Sequence, residues 1–298
     1  MSPTYSSFAV IGAGTIGGPI LAALAAQPSV KVILLSRGAS TSKTVPASVE
    51  VVQVPSYDDV TAVAAALKAH NVEVIVSTLN TVALPSQLSL ADAAKQAGVK
   101  LFLPSEFGFS TEGATEGLLG AKQKTVDKLQ TVGVPYFRIF VSASGLSPAS
   151  DPDANLQTGL FIEFVPWAVN YSAEAKKLYV VGKSEGAVSV ASIADIAGYL
   201  AHVLTHQPTA ILENKILRIE GDRIPGFRSL GPLFGAEVVT VEAMEGADFK
   251  AFLMSLADQG VATTGYGVEG VSDEEASKSG NALWAGHQWK TVKDVYGH

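Results

Sequence analysis

The sequence predicts an α/β protein built on a doubly wound parallel sheet, and three observations carry that expectation. Short β-branched runs alternate with Ala-rich stretches through the first half of the chain, the pattern of repeated strand–helix units. Those strand runs are apolar almost throughout, as strands covered on both faces must be. A glycine turn, Gly12-Ala13-Gly14-Thr15-Ile16-Gly17, stands directly between the first strand run and the first helical run.

Taken in order, strands are expected at residues 8–11, 30–35, 49–54, 72–77, 100–103 and 136–141, with helices at 16–26, 57–70, 85–96 and 119–132. Gly98 and Gly133 follow the last two helices as C-terminal stop signals. Beyond Ser142 the alternation is broken by Pro148, Pro152 and Pro166, and the aromatic residues Phe161, Phe164, Trp167 and Tyr171 cluster. Residues 177–182 and 187–191 read as a hairpin turning at Lys183-Ser184-Glu185-Gly186. A helix at 193–204 and a strand at 216–219 are expected to return to the main sheet. Residues 222–298 read as short helices and one strand. The domain division that follows is a main domain of residues 1–145 with 187–220 returning to it, and a smaller α+β lobe made of 146–186 and 221–298. That lobe is expected over the carboxyl ends of the strands, where open α/β sheets bind their ligands.

Composition narrows the function classes. The 298 residues are 47% hydrophobic and 16% charged, with a formal net charge of −7 and no Cys. A net negative charge argues against nucleic acid and anionic membrane as partners. The lack of Cys removes disulfides, thiolate metal sites and cysteine nucleophiles. His70, His202, His206, His287 and His298 show no ligand spacing beyond the i,i+4 pair His202 and His206, which reads as helix surface, so no metal is expected. The first eight residues lack the pattern of a signal peptide, and no apolar run is long enough to span a bilayer. The expectation is a soluble, cytoplasmic protein with a small-molecule substrate, either monomer or homodimer.

The glycine turn has a specific chemical meaning in this setting. After a strand and before a helix, Gly12 permits the tight turn, Gly14 lets a pyrophosphate approach the backbone, and Gly17 lets the helix pack on the strand. The helix N-terminus, Thr15-Ile16-Gly17, then faces the phosphate charge. The expected fold is therefore a Rossmann-type, dinucleotide-binding one. Sites for NAD carry an acid about twenty residues further on to hold the ribose 2′-hydroxyl. This chain has no acidic residue before Glu50; at that place stand Ser36 and Arg37, followed by Ser40, Thr41, Ser42 and Lys43. Cations and hydroxyls suit a 2′-phosphate, so Arg37 and Lys43 predict NADPH or NADP as cofactor.

A third feature is Lys122. At about 100° per residue, Leu118, Leu119, Val126 and Leu129 gather on one side of the segment Leu118–Val132, with Lys122 in the middle of the stripe. Lys124 and Lys128 point away. A lysine turned into the body of a protein must find a partner, lose its proton or line a wet cleft; the plain alternative is an amine that snorkels past the rim to water. One dehydrogenase mechanism on this scaffold uses a Tyr-x-x-x-Lys pair, but Leu118 occupies the Tyr position. The only other such spacing, Tyr179 to Lys183, falls in the expected hairpin.

These residues resemble a known group. Pro104-Ser105-Glu106-Phe107-Gly108, followed fourteen residues later by Lys122 and then by Gly133-Val134-Pro135-Tyr136, is similar to the isoflavone reductase-like, NmrA-like branch of atypical short-chain dehydrogenases. Val74-Ile75-Val76-Ser77-Thr78 and the ending Trp289 to Tyr296 share the likeness. The resemblance implies an NADPH-dependent reductase that passes hydride to a small aromatic or phenolic metabolite, with Lys122 as general acid/base. It implies that Arg37 and Lys43 contact the 2′-phosphate, that Thr78 lies beside the nicotinamide, and that Ser105 and Glu106 orient Lys122 or the nicotinamide amide. Phe107, Phe109, Phe161, Phe164 and Trp167 are candidates for a substrate wall, each with a core position as the alternative. The chain departs from the group's pattern where Ile11 takes the place of a first glycine and Val126 that of an Arg. A second function class is a non-catalytic dinucleotide sensor that binds a partner protein, as some NmrA-like proteins do. Those proteins lack the lysine that this chain keeps.

Overall fold

The computed structural model describes residues 4–38, 45–108, 110–141, 160–243 and 248–297. Five parallel strands form the central sheet: β1 (Ser7–Ile11), β2 (Lys31–Ser36), β3 (Glu50–Gln53), β4 (Val74–Ser77) and β5 (Leu101–Leu103), in the order β3-β2-β1-β4-β5. A parallel pair, β6 (Phe137–Phe140) with β9 (Lys215–Arg218), extends it, because the bridge Phe102–Tyr136 and the bond from Phe102 N–H to the Pro135 carbonyl at 2.9 Å tie β5 to β6. The resulting order, with the reversal between β1 and β4, is that of a doubly wound dinucleotide-binding sheet.

Both faces are covered, which explains why the strands read as continuous apolar runs. Helices α1 (Gly17–Ala25) and α6 (Ile193–His206) pack on the side chains Phe8, Val10, Val74 and Val76 of one face. Helices α2 (Val60–Ala69), α3 (Ser86–Ala97) and α4 (Gly117–Val132) cover the other, around Ala9, Ile11, Ile75 and Phe102. The expected stops hold: α3 and α4 end at Gly98 and Gly133, with φ of 75° and 67°, values an L side chain adopts at a cost.

A second hydrophobic cluster stands apart from the two that flank the sheet, and it takes in β8 of the 187–220 stretch expected to return to the main domain. It gathers α5 (Val165–Ala168), β7 (Lys177–Val181), β8 (Val188–Val190), β10 (Asp222–Ile224), α7 (Leu230–Phe234), β11 (Glu237–Val241), α8 (Asp248–Asp258) and α10 (Val292–Tyr296) around Leu178, Val180, Phe227 and Met254. The short α9 (Asp273–Ser277) docks through the Asp273–Arg223 ion pair at 2.6 Å. Leu119 of α4 belongs to this cluster as well, so α4 touches both bodies.

Two expectations are corrected here. The runs at 177–182 and 187–191 form no hairpin: β7 pairs in parallel with β11, and β8 pairs antiparallel with β10. The intervening turn instead packs on α8, where the Lys183 N–H donates to Asp258 Oδ2 at 2.8 Å and Ser184 is buried. Residues 222–298 therefore contribute two strands, β10 and β11, and not one. Periodicity identifies a strand but not its partner; here the partners lie more than thirty residues away in sequence.

Candidate active site at the carboxyl ends of the strands

The site begins at the point where the strand order reverses. The chain leaves β1 at Ile11 and turns at Gly12, whose φ is 98°. A Cβ at Gly17 would lie 2.3 Å from both the Gly12 carbonyl oxygen and Thr78 Oγ1, so this position admits no side chain. Thr78, next after β4, locks the turn: its hydroxyl lies 2.9 Å from the Gly12 carbonyl oxygen and 3.1 Å from that of Ile11. Gly14 differs in kind. A Cβ there would meet nothing within 4 Å, and Gly14 and Thr15 are exposed while Ile16 is buried. No side chain caps α1 and no acid stands in its first turn. Uncapped N–H groups beside an open glycine are what a pyrophosphate requires, so these residues fit a dinucleotide.

At the end of β2, Ser36 is half-buried and Arg37 exposed. Ser36 Oγ donates to the Gly38 carbonyl at 2.7 Å. The Arg37 guanidinium lies 4.9 Å from the Tyr57 ring centroid, and Tyr57 is anchored by its hydroxyl bond to the Leu35 carbonyl at 3.1 Å. A cation is thus presented at the end of β2, in a chain with no acidic residue before Glu50. Lys43 falls outside the described residues, as do Ser40, Thr41, Ser42 and Phe109.

The segment after β5 places Lys122. Phe107 is fully buried with φ of 38°, in the left-handed region, so the Ser105-Glu106-Phe107 turn is strained locally and held by its surroundings. Gln87 accepts the Ser105 N–H at 2.8 Å, and Ser105 Oγ donates to the Leu79 carbonyl at 2.8 Å. Lys122 is buried to 4% exposure among Leu119, Val126 and Leu129, as its place in the stripe predicts. Its ammonium donates to the main-chain carbonyl of Glu106 at 2.7 Å. Burial pushes the Lys122 pKa down to about 8; the Glu106 carboxylate works against that fall and Arg138 adds to it.

Glu106 therefore does two things. Its carbonyl holds Lys122, while its fully buried carboxylate accepts from Arg138 Nε at 3.0 Å and Thr111 Oγ1 at 2.9 Å. Arg138, on β6 and itself 3% exposed, also bonds Thr111 and reaches Gln123 Oε1 at 3.2 Å. Glu106 Oε2 is buried with no partner among the described residues. Ser105 and Glu106 thus turn their side chains into the protein. Arg138 was not among the residues singled out from the sequence, although a lone Arg inside the apolar run of residues 136–141 is a legible signal, because a buried parallel strand tolerates a charge only when it is paired.

Of the expected substrate wall, Phe107 and Phe161 are core residues at 0% and 1% exposure. Phe164 and Trp167 are partly buried at the edge of the lobe cluster. Among the described residues no helix is long and apolar enough to cross a membrane.

Comparison with known proteins finds similar sequences and similar folds. Residues 4–146 match the NmrA-like family. The chain is 40% identical over 103 residues to the oxidoreductase aprR of Aspergillus flavus, which covers 34% of each chain; the match spans about a third of the length of that curated relative. Its fold is similar to leucoanthocyanidin reductase of Vitis vinifera, solved as a binary complex with NADPH, with a TM-score of 0.74 at 16% identity over 98% of both chains. It is also similar to the NADPH-dependent quinone oxidoreductase QOR2 of Escherichia coli, with a TM-score of 0.64 at 19% identity over 98% of both chains.

Proposed function

We propose that this chain, whose residues 4–146 carry the NmrA-like match, is an NADPH-dependent reductase of a small aromatic or phenolic metabolite. The observation that carries the reading is Lys122: a buried amine beside the end of β5, held at 2.7 Å by the Glu106 carbonyl. The oxidoreductase name of the fungal relative and the NADPH complexes among the similar folds support it. Gly12, Gly14, Thr15, Ile16 and Gly17 would bind the pyrophosphate, Thr78 would set the turn, and Arg37 with Lys43 would hold the 2′-phosphate. NADPH bound there would supply the hydride.

Lys122 would supply the compensating proton. A pKa of about 8 leaves the amine mostly protonated at neutral pH yet ready to release its proton, the balance a general acid needs. The Glu106 carbonyl fixes where that proton points. The Arg138–Glu106 pair fixes the carbonyl, so Arg138 is a positioning residue and not one that meets substrate.

Titration with NADPH, NADP, NADH and NAD, followed by a turnover screen of phenolic enones, ketones and quinones with Lys122→Ala as control, tests the reading. Tighter binding of the phosphorylated pair and Lys122-dependent turnover are expected. Tight NADP binding without turnover of any class would instead favour a dinucleotide sensor, and unchanged turnover in Lys122→Ala would remove Lys122 from the mechanism.

A further inference from the structure

We propose that the smaller lobe holds a second binding site, for a planar aromatic carboxylate, in the cavity between α5, β7, β11 and α8. The cavity measures about 590 Å³ and shares no residue with the glycine turn or the Lys122 cluster; its volume is that of small-molecule sites. This inference goes beyond the reductase reading and does not depend on it.

The chemistry of the walls selects the ligand. Trp167, Tyr171, Tyr179 and Val241 supply flat apolar surface, and Tyr171 is held in place by stacking on Phe234 with ring centroids 4.7 Å apart. The polar groups are donors: the Lys250 ammonium, the Asn170 amide N–H and the Tyr179 hydroxyl. Lys250 Nζ lies 4.6 Å from the Trp167 ring centroid and bonds Asn170 Oδ1, so that carbonyl is already taken. Asn170 adopts a φ of 45°, in the left-handed region that Asn tolerates better than most residues. Among the described residues no carboxylate lines the cavity or pairs with Lys250, in a chain with a net charge of −7. Burial alone holds its pKa below the ordinary lysine value. A partly buried cation with no counter-ion among the described residues, set against an aromatic face, is completed by an anion on a ring.

The probe is 4-hydroxybenzoate, titrated by calorimetry into the full chain with saturating NADPH present, with 4-hydroxybenzamide and cyclohexanecarboxylate as comparisons. Binding of 4-hydroxybenzoate is expected, with each comparison compound about tenfold weaker or more, since one loses the charge and the other the ring. Lys250→Met should weaken 4-hydroxybenzoate by a similar factor, Lys250→Arg should restore it, and Lys122→Ala should leave it unchanged. Thermal melting of each variant checks its fold, and Tyr179→Phe, which removes a single donor, provides a milder second test. Equal affinity in Lys250→Met and the natural chain would overturn the site. So would absence of binding, or a loss in Lys122→Ala with none in Lys250→Met.

Discussion

Arg138 and Glu106 form a 3.0 Å ion pair sealed from water on every side, their side chains 3% and 0% exposed. The same Glu106 gives its main-chain oxygen to the Lys122 ammonium. A buried pair of this kind stabilises the fold little compared with an apolar substitute, but breaking it leaves a charge stranded. Its use is geometric: it pins the peptide that aims the lysine, in a turn whose next residue, Phe107, sits in the left-handed region.

Removing one partner should therefore cost far more than removing both. Arg138→Met is expected to lower stability by about 3–5 kcal/mol, because Glu106 is left buried and unpaired. The double variant Glu106→Gln with Arg138→Met should recover much of that loss. Urea unfolding of the three proteins measures it; equal losses in single and double variants would show that the pair is not the unit.

The glycine turn separates packing from binding. Gly17→Ala puts a methyl 2.3 Å from the Gly12 carbonyl and Thr78 Oγ1, and overpacking of this kind costs about 1–3 kcal/mol. Gly14→Ala meets no protein atom within 4 Å. Its melting temperature should stay unchanged while its NADPH affinity falls, which calorimetry and thermal melting together report.

Lys122 leaves two signatures in pH. Its folded pKa, about 8, lies below its ordinary value of 10.5, so between those limits the unfolded chain binds a proton that the folded chain does not. Stability should rise with pH across that window, and the rise should vanish in Lys122→Met. If the protonated amine is the acid in turnover, the rate should fall as pH rises through about 8. Urea midpoints and a pH–rate profile read the two effects separately.

Arg37 should decide between the cofactors. Arg37→Ala is expected to weaken NADPH by roughly tenfold or more, the loss of a charge-assisted hydrogen bond, and to leave NADH nearly unchanged. Equal losses for both would place Arg37 away from the 2′-phosphate.

The doubly wound sheet, the glycine turn and the burial of Lys122 are legible in the chain, because each is written in local pattern: apolar runs for strands covered on both faces, a stripe at helical spacing, and glycines between a strand and a helix. The stops at Gly98 and Gly133 were legible for the same reason. The strand partners are legible only in the folded molecule. Strand β7 could have paired with β8 across a short turn, yet it pairs with β11 far along the chain, since strand pairing is settled by which faces the second core must bury. The division of labour within Glu106 is of the same kind. Its carbonyl serves Lys122 and its carboxylate serves Arg138, a choice made when β6 comes alongside the turn after β5 and a buried charge must find its opposite.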